Sequence, residues 1–282
     1  MLTLRQTWRA LRSSSRGPKR LSGPTFWRRS LWFAAKELTA GSYLTFKDQL
    51  GITYFTPPNN TSSRLTNLYG YRDESVFHFI QKHLQPGDCA IDVGANVGTY
   101  TFPFARLVGE AGRVVAYEPD PEVASLLDRT RGWGSYDQVT IRPCGVADAG
   151  GLLSLHRNYT NRGQTSTSID TSTRGLIVTS VTLDDDVQRL GVQAKVRLIK
   201  IDVEGNEARV IAGARQLLTA SSDIVVIMEH LPHVVCAEDH SASASQQLLE
   251  MGYLPFFAKS DGTLLESTSA WGDNMIWRKT HA

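Results

Sequence analysis

The sequence has few cysteines and no long apolar run. Its three cysteines, Cys89, Cys144 and Cys236, are scattered, so no paired spacing indicates zinc and their odd number disfavours a disulfide framework. Few, unpaired cysteines are typical of proteins in a reducing compartment, so we expect a cytoplasmic protein. The longest apolar stretches, such as residues 224–228, have the length of a strand. They fall far short of the roughly 18 residues that a transmembrane helix requires.

Acidic residues are absent from the first 36 positions, which carry nine basic side chains. The rest of the chain has 21 basic and 28 acidic residues, so a basic arm precedes an acidic body. Such an arm is typical of a solvated, poorly ordered tail, but it could also contact anionic lipid, nucleic acid or an acidic partner. Peripheral membrane contact through residues 1–36 stays possible, because aromatic residues lie among the basic ones: Trp8, Trp27, Trp32 and Phe33. The Arg- and Ser-rich composition also resembles an organellar transit peptide, which would imply an organellar protein.

Patterns along the chain divide it into three parts. Residues 1–38 are predicted to form the flexible basic arm, with at most short helices near 4–11 and 27–38. Residues 39–85 are predicted to pack on the core as a hairpin, 43–46 with 52–56, followed by a helix at 74–84. Residues 86–282 form the predicted main domain.

Strands and helices alternate in the main domain, which predicts a doubly wound α/β fold with a mostly parallel sheet and helices on both faces. The predicted strands lie near residues 89–93, 113–118, 139–142, 196–202, 223–229, 253–258 and 274–278. The predicted helices lie near residues 97–108, 121–131, 204–219 and 240–251.

A β insertion near residues 150–183 interrupts this alternation. Residues 152–156 and 176–181 are predicted strands that flank a polar segment at 158–174. The run 165–168 within it is too polar for a core. We therefore expect the insertion to lie at the edge of the sheet and over a ligand face.

A glycine turn follows the first strand of the main domain at residues 92–98. Gly94 and Gly98 let the backbone turn tightly and approach a ligand. Its amides and the following helix N-terminus favour an anion or a polar ligand end, which indicates a nucleoside-bearing cofactor. Twenty residues after Gly98, Glu118 ends the next strand, where a carboxylate can accept hydrogen bonds from both ribose hydroxyls.

Two further strands end in acidic residues. Asp202 and Glu204 follow the strand at 196–202, and Glu229 with His230 ends the strand at 223–229. Because ligands of open α/β sheets bind at the carboxyl ends of the strands, these groups should lie at one rim with Gly94 and Glu118. Glu204 could instead cap the next helix or sit in its first turn.

These rim groups are the candidates for catalysis. Asp202, Glu204, Glu229 and His230 could remove a proton, and His156 on the insertion is a weaker candidate. Asp202 with Glu229 could also hold a divalent cation, but no ligand spacing is diagnostic and no metal site is predicted.

Four segments resemble the successive signatures of FkbM-family S-adenosylmethionine-dependent methyltransferases. They are AIDVGANVGTY at 90–100, VAYEPDP at 115–121, VTLD at 181–184 and IKIDVEGNE at 199–207. The resemblance covers about residues 70–279. It implies a class I, Rossmann-like methyltransferase fold whose seven-stranded sheet has an antiparallel last strand at 274–278. It also implies S-adenosylmethionine as cofactor and S-adenosylhomocysteine as product.

The resemblance further assigns roles to residues. The positions implied to contact the cofactor are Asp92, Gly94, Ala95, Asn96, Gly98, Glu118, Pro119, Val146 and Asp202. Asp92 and the glycine turn would line its methionine and ribose part, Glu118 would hold the ribose hydroxyls, and Val146 would contact the adenine. The implied reaction is O-methylation of a hydroxyl on a sugar, glycolipid or other natural product. The implied partner is therefore a small-molecule or glycan acceptor.

Other classes fit the sequence less well. A nicotinamide-dependent oxidoreductase would need Gly-x-Gly-x-x-Gly, but Asn96 stands where the second glycine belongs, and no Tyr-x-x-x-Lys pair is visible. A non-catalytic protein of the same fold could use its basic arm on a membrane or nucleic acid, yet it would have no need of the acidic rim. Nucleic-acid methylation is disfavoured because no Asn/Asp-Pro-Pro-Tyr motif is present and the body is acidic. The sequence predicts no oligomeric state.

Overall fold

The computed structural model describes residues 31–33, 35–36, 41, 43–70, 73–158, 165–168, 175–230, 241–267 and 272–280. The predicted helix at 4–11 and most of the basic arm lie outside these residues. No helix of the described part is long and apolar enough to cross a membrane.

Strands and helices alternate through the described chain. In chain order, the strands are β1 (Leu44–Lys47), β2 (Thr53–Thr56), β3 (Cys89–Val93), β4 (Arg113–Tyr117), β5 (Val139–Arg142), β6 (Gly145–Val146), β7 (Gly151–Arg157), β8 (Thr165–Ser168), β9 (Leu176–Val181), β10 (Val196–Ile201), β11 (Val225–His230), β12 (Tyr253–Ala258), β13 (Leu264–Glu266) and β14 (Gly272–Lys279). The helices are α1 (Thr61–Tyr69), α2 (Glu74–His83), α3 (Thr101–Val108), α4 (Pro121–Trp133), α5 (Leu183–Leu190), α6 (Glu207–Ala212), α7 (Arg215–Ala220) and α8 (Ser241–Glu250).

Eight of the described strands form the central sheet, in the order β13-β12-β14-β11-β10-β3-β4-β5. The pairs from β11 through β10, β3 and β4 to β5 are parallel. The last strand, β14, lies between β11 and β12 and is antiparallel to both. The predicted doubly wound α/β fold is confirmed. An eighth strand that was not predicted, β13, extends the sheet as a hairpin with β12.

The central strands are buried on both faces, which explains their nearly continuous apolar sequences. Ile91, Val115 and Ile199 pack into a cluster on one face. Their neighbours along the chain, such as Ala90 and Val114, pack into a cluster on the other. Successive side chains of a strand point to opposite faces, so each strand contributes to both halves of the core.

The helix predicted at 204–219 is two helices, α6 and α7, which is a correction. The helix breaks at Gly213, where a Cβ atom would overlap the backbone oxygen of Ala147. The carboxylate of Asp184 then accepts hydrogen bonds from the N–H groups of Gln216 and Leu217, at 2.9 and 2.8 Å, and so caps α7. Asp184 belongs to the VTLD segment, whose role here is therefore structural. Helices α1 and α5 were not predicted, and α3 begins at Thr101 rather than near residue 97.

The insertion strands β7, β8 and β9 form a separate sheet with β6, in the order β6-β9-β7-β8, and do not extend the central sheet. Its strands pair with one another, and Leu153, Leu155 and Val178 give it a small core of its own. The polar run Thr165–Ser168 is its outermost strand, paired with β7 alone. A strand at an edge needs no apolar face on both sides, which explains why this polar run can be a strand.

The predicted hairpin before the main domain is present as β1 and β2, which pair antiparallel from Leu44↔Thr56 to Lys47↔Thr53. Phe46 stacks on Tyr54 with ring centroids 4.9 Å apart, and Phe33, which is only 2% exposed, packs against Phe46. The N–H of Phe55 donates to Thr130 Oγ1 on α4 at 3.0 Å. These contacts join Phe33 and the β1–β2 hairpin to the core. The proposed limits of the three parts of the chain stay a prediction.

Candidate functional site

The glycine turn after β3 is packed tightly against the loop after β10. Gly94 has φ +82°, and a Cβ atom at this position would overlap the backbone oxygen of Asp202. Gly98 has φ +91°, and a Cβ there would meet the rings and methyl groups of Phe102 and Leu127. Both positions therefore require glycine, for its conformation and for the space.

The first backbone amides of this turn donate hydrogen bonds to other residues of the protein. The N–H groups of Gly94 and Ala95 both donate to the carbonyl oxygen of Tyr117, at 3.0 and 2.9 Å. The N–H of Asn96 donates to Glu118 Oε2 at 2.8 Å. The expectation that the turn offers these amides to an anion is therefore wrong, because the end of β4 already satisfies them. The turn provides close backbone approach rather than a phosphate nest.

Glu118 is the centre of the loop after β4. Its Oε2 accepts from Asn96, its Oε1 accepts from the N–H of Asp120 at 2.8 Å, and the residue is 7% exposed. Burial raises the pKa of Glu118 to about 7, although these two hydrogen bonds act in the opposite direction. A carboxylate has about four lone-pair sites, so two bonds leave room for further donors such as the hydroxyls of a ribose.

Asp92, on β3, is 2% exposed and accepts a hydrogen bond from Thr101 Oγ1 at 2.5 Å. Burial raises the pKa of Asp92 to about 6, and the hydrogen bond from Thr101 and the charge of Lys200 both act to lower it.

Lys200, whose side chain is 1% exposed, pairs with Asp92 in the register of β3 and β10. Its Nζ lies 3.5 Å from Asp202 Oδ2 and 5.3 Å from the centre of the Tyr100 ring. Sequence reasoning missed Lys200. The available signal was a charged residue inside an otherwise apolar strand, since lysine is almost never fully buried without a partner.

The loop from Asp202 to Asn206 carries the second acidic strand end. Asp202 is 39% exposed in its side chain, and Glu204 has φ +53°, an uncommon conformation for a residue other than glycine. Glu207, which is 5% exposed, accepts hydrogen bonds from the N–H groups of Val203 and Gly205, at 3.3 and 3.2 Å. Burial raises the pKa of Glu207. Glu204 precedes the N-cap residue Asn206, so it does not lie in the first turn of α6, where the acidic residue is Glu207.

The remaining candidates lie at different distances from this rim. Glu229 is half-buried at the end of β11, beside Asp202, because Ile201 and Met228 are register partners. The side chain of His230 lies outside the described part. His156 lies on the insertion strand β7, opposite Ser166. Val146 is 6% exposed and packs in the core cluster, next to Gly145, where a Cβ would lie 3.9 Å from that of Pro119.

The segment before the main domain also contacts the glycine turn. Asn60, which is 1% exposed, donates from Nδ2 to Asn96 Oδ1 at 2.9 Å. Its own Oδ1 accepts from the N–H of Ser63 at 2.9 Å and so caps α1. Sequence reasoning missed Asn60, since nothing local links two asparagines so far apart.

Across the residues that the structure describes, no group of three or more His, Cys, Asp or Glu side chains is placed to hold a metal ion.

Three loops thus meet at the carboxyl ends of β4, β3 and β10, where open α/β sheets bind their ligands. The fold and the site define a doubly wound α/β protein with a buried carboxylate, Glu118, beside a glycine turn and with an acidic rim. The profile of the methyltransferase FkbM domain matches residues 92–254, more than half of the chain. The chain belongs to this family.

Two curated relatives and one solved structure are similar to the chain. Hexuronic acid methyltransferase AglP of Haloferax volcanii is 24% identical over 163 residues, 58% of this chain and 64% of that protein. The 31-O-demethyl-FK506 methyltransferase FkbM of Streptomyces tacrolimicus is 32% identical over 164 residues, 46% of this chain and 60% of that protein. The chain thus spans less than two thirds of either relative. The solved methyltransferase FkbM of Methylobacillus flagellatus has 14% identity and a TM-score of 0.43, covering 97% of this chain and 65% of that one.

Proposed function

We propose that this protein transfers the methyl group of S-adenosylmethionine to a hydroxyl group of a sugar or another natural-product alcohol. The observation that carries the proposal is the position of Glu118, a buried carboxylate beside a glycine turn that leaves no room for a Cβ at Gly94. Membership of the FkbM methyltransferase family supports the same cofactor.

The residues of the rim fit this cofactor. Glu118 has lone pairs left for the two ribose hydroxyls. Asp92 and the turn from Gly94 to Gly98 would line the methionine side. Pro119 lies close to the strand that carries Val146, and these residues would contact the adenine.

The chain's own residues have two tasks in the reaction. The sulfonium of the bound cofactor supplies an electrophilic methyl group. The protein aligns the acceptor oxygen with it and excludes water, and alignment of this kind can contribute about 7–11 kcal/mol. A base then takes the proton of the hydroxyl, which is typically worth about 10²–10⁴-fold. Asp202 is the best-placed group, because it is half-exposed at the rim and held by Lys200 at 3.5 Å.

The acceptor class rests on the two relatives. The name of one states that it methylates a hexuronic acid, and the name of the other states a 31-O-demethyl alcohol. An alcohol on a sugar or a macrolide-like compound is therefore the acceptor that we propose first.

The test is incubation with S-adenosylmethionine carrying a labelled methyl group and a panel of hexuronic acids, neutral sugars, glycolipids and macrolide-like alcohols, with products read by mass. We expect a labelled ether on one class of alcohol. Labelling of nitrogen or carbon atoms, or of a carboxylate as a methyl ester, would overturn the hydroxyl assignment. Failure to bind S-adenosylhomocysteine in calorimetry would overturn the cofactor assignment itself.

A further inference from the structure

The hairpin of β7 and β8 contacts two separate loops of the rim. At the end of β7, Arg157 Nε and Nη2 donate to the two carboxylate oxygens of Asp120, at 2.6 and 2.5 Å. In β8, the carbonyl oxygen of Thr167 accepts from Asn206 Nδ2 at 2.9 Å. One contact is to the loop after β4 and the other is to the loop after β10.

These two loops flank the glycine turn. In the central sheet β3 lies between β4 and β10, so the turn after β3 lies between the loops that carry Asp120 and Asn206. A hairpin that is bonded to both loops must cross the carboxyl end of β3. The insertion therefore bridges the cofactor turn instead of extending the sheet.

The partner of Arg157, Asp120, lies two residues after Glu118 in the chain. Asp120 is 2% exposed, its N–H donates to Glu118 Oε1, and its carboxylate caps α4 by accepting from the N–H of Glu122 at 2.9 Å. Arg157 Nη1 also lies 3.8 Å from Glu122. Two parallel bonds from one guanidinium fix both distance and orientation. A shift of the hairpin would thus be transmitted to the loop that holds the Glu118 carboxylate.

We propose that the β7–β8 hairpin is the wall of the acceptor site across the glycine turn, and that Arg157 is the positioning residue that fixes this wall to the ribose-binding carboxylate through Asp120. The inference rests on the proposed function. It has one consequence that a passive surface insertion would not have: cofactor binding and the order of the hairpin depend on each other.

The experiment compares four single variants and one double variant in the full chain. Arg157→Gln removes the ion pair, and Arg157→Lys keeps the charge but cannot make two parallel bonds. Asp120→Asn weakens the pair while keeping a residue that caps helices well. The matched control is Arg131→Gln, which removes an exposed pair with Asp128 at 2.7 Å on the same helix, α4.

S-Adenosylhomocysteine affinity is measured by calorimetry. We expect Arg157→Gln and Asp120→Asn each to weaken it about tenfold, or about 1.4 kcal/mol, with a smaller loss for Arg157→Lys and none for Arg131→Gln. The double variant of Arg157→Gln and Asp120→Asn should bind about as well as either single variant, because both remove one interaction.

Hydrogen exchange supplies a readout that a merely structural role would not move. In the wild type, S-adenosylhomocysteine should slow exchange of the amides in both the glycine turn and the β7–β8 hairpin. In Arg157→Gln the slowing in the turn should remain and the slowing in the hairpin should be lost. Unchanged hairpin protection, additive losses of affinity in the double variant, or an equal loss in Arg131→Gln would overturn the proposal.

A failure of the proposed function can be told apart from a failure of this inference by the wild-type protein. If the wild type binds no S-adenosylhomocysteine, the cofactor assignment fails, and the coupling is then tested in the ligand-free protein. There, Arg157→Gln should speed exchange in both β7–β8 and the loop at 118–120. Equal exchange in variant and wild type would overturn the role of Arg157.

Discussion

In the proposed function, the ionised Glu118 carboxylate accepts hydrogen bonds from both ribose hydroxyls, so cofactor affinity should fall when the pH is lowered through 7. Burial raises the pKa of Glu118 to about 7. The ionised fraction then falls from about nine tenths at pH 8 to about one tenth at pH 6, so binding should be roughly tenfold weaker at pH 6. Asp92, whose pKa burial raises to about 6, adds a second loss of the same sign below pH 6.

The assay is calorimetry with S-adenosylhomocysteine between pH 5.5 and 8.5, in buffers of different ionisation enthalpy so that released protons are counted. Glu118→Gln is the matched variant. Its amide cannot accept from both Asn96 and Asp120, and it loses charge-assisted bonds worth about 1.5–3 kcal/mol, so it binds more weakly at every pH. The decisive observable is therefore the slope of cofactor affinity against pH. Wild-type affinity that is equal at pH 6 and 8, or a variant with the wild-type slope between these values, would refute the reasoning.

The raised pKa of Glu118 also predicts how the stability of the folded protein changes with pH. Because the pKa of Glu118 rises from 4.5 to about 7 on folding, the folded state holds this proton more tightly than the unfolded state. Its contribution, on the order of 3 kcal/mol for a rise of about 2.5 in pKa, is fully present below pH 4.5 and is lost as the pH rises through 7. Adding S-adenosylhomocysteine should accordingly raise the melting temperature of the protein more at pH 8 than at pH 6.

Three further predictions concern other parts of the site. Asp202→Asn should lower turnover more than cofactor affinity, as measured by initial rates and calorimetry; a parallel loss of both would place Asp202 on the cofactor. Gly94→Ala should abolish cofactor binding and lower the free energy of unfolding in denaturant titrations by more than Gly109→Ala, because both positions have positive φ but only a Cβ at Gly94 meets backbone. At Gly109 we expect a loss of roughly 1–2 kcal/mol. Deleting residues 1–30 should leave calorimetric cofactor affinity unchanged, since Phe33 and the hairpin that it packs against remain; a protein that no longer folds would show that the arm packs on the core.

The central sheet could be predicted because its signal is local. Runs such as residues 89–93 and 196–201 are mostly apolar and buried on both faces, which is typical of buried parallel strands. The break between α6 and α7 could not be predicted, because it depends on the backbone oxygen of Ala147, far away in the chain. The insertion was found as strands, but its own sheet depends on pairings that no local pattern specifies.

The same division applies to the site. Asp92, Glu118 and Asp202 could be predicted because each carboxylate comes at or just after a buried strand and must lie at the same rim. Asn60 and Arg157 reach the rim from elements outside that pattern, so only the folded chain reveals them. The turn amides were assigned to a ligand because sequence shows which groups a turn offers, but not which neighbours already accept from them.

The charge of the rim bears on the nature of the cofactor. Burial raises the pKa of Asp92, Glu118 and Glu207, so three carboxyl groups at one rim disfavour their own ionised forms. A ligand with a positive sulfonium and ammonium group would stabilise those ionised forms, because an opposite charge nearby favours the charged state. A dinucleotide pyrophosphate would do the reverse. It would also find the N–H groups of Gly94, Ala95 and Asn96 already bonded to Tyr117 and Glu118. The charge of this rim thus favours the proposed sulfonium cofactor over a dinucleotide.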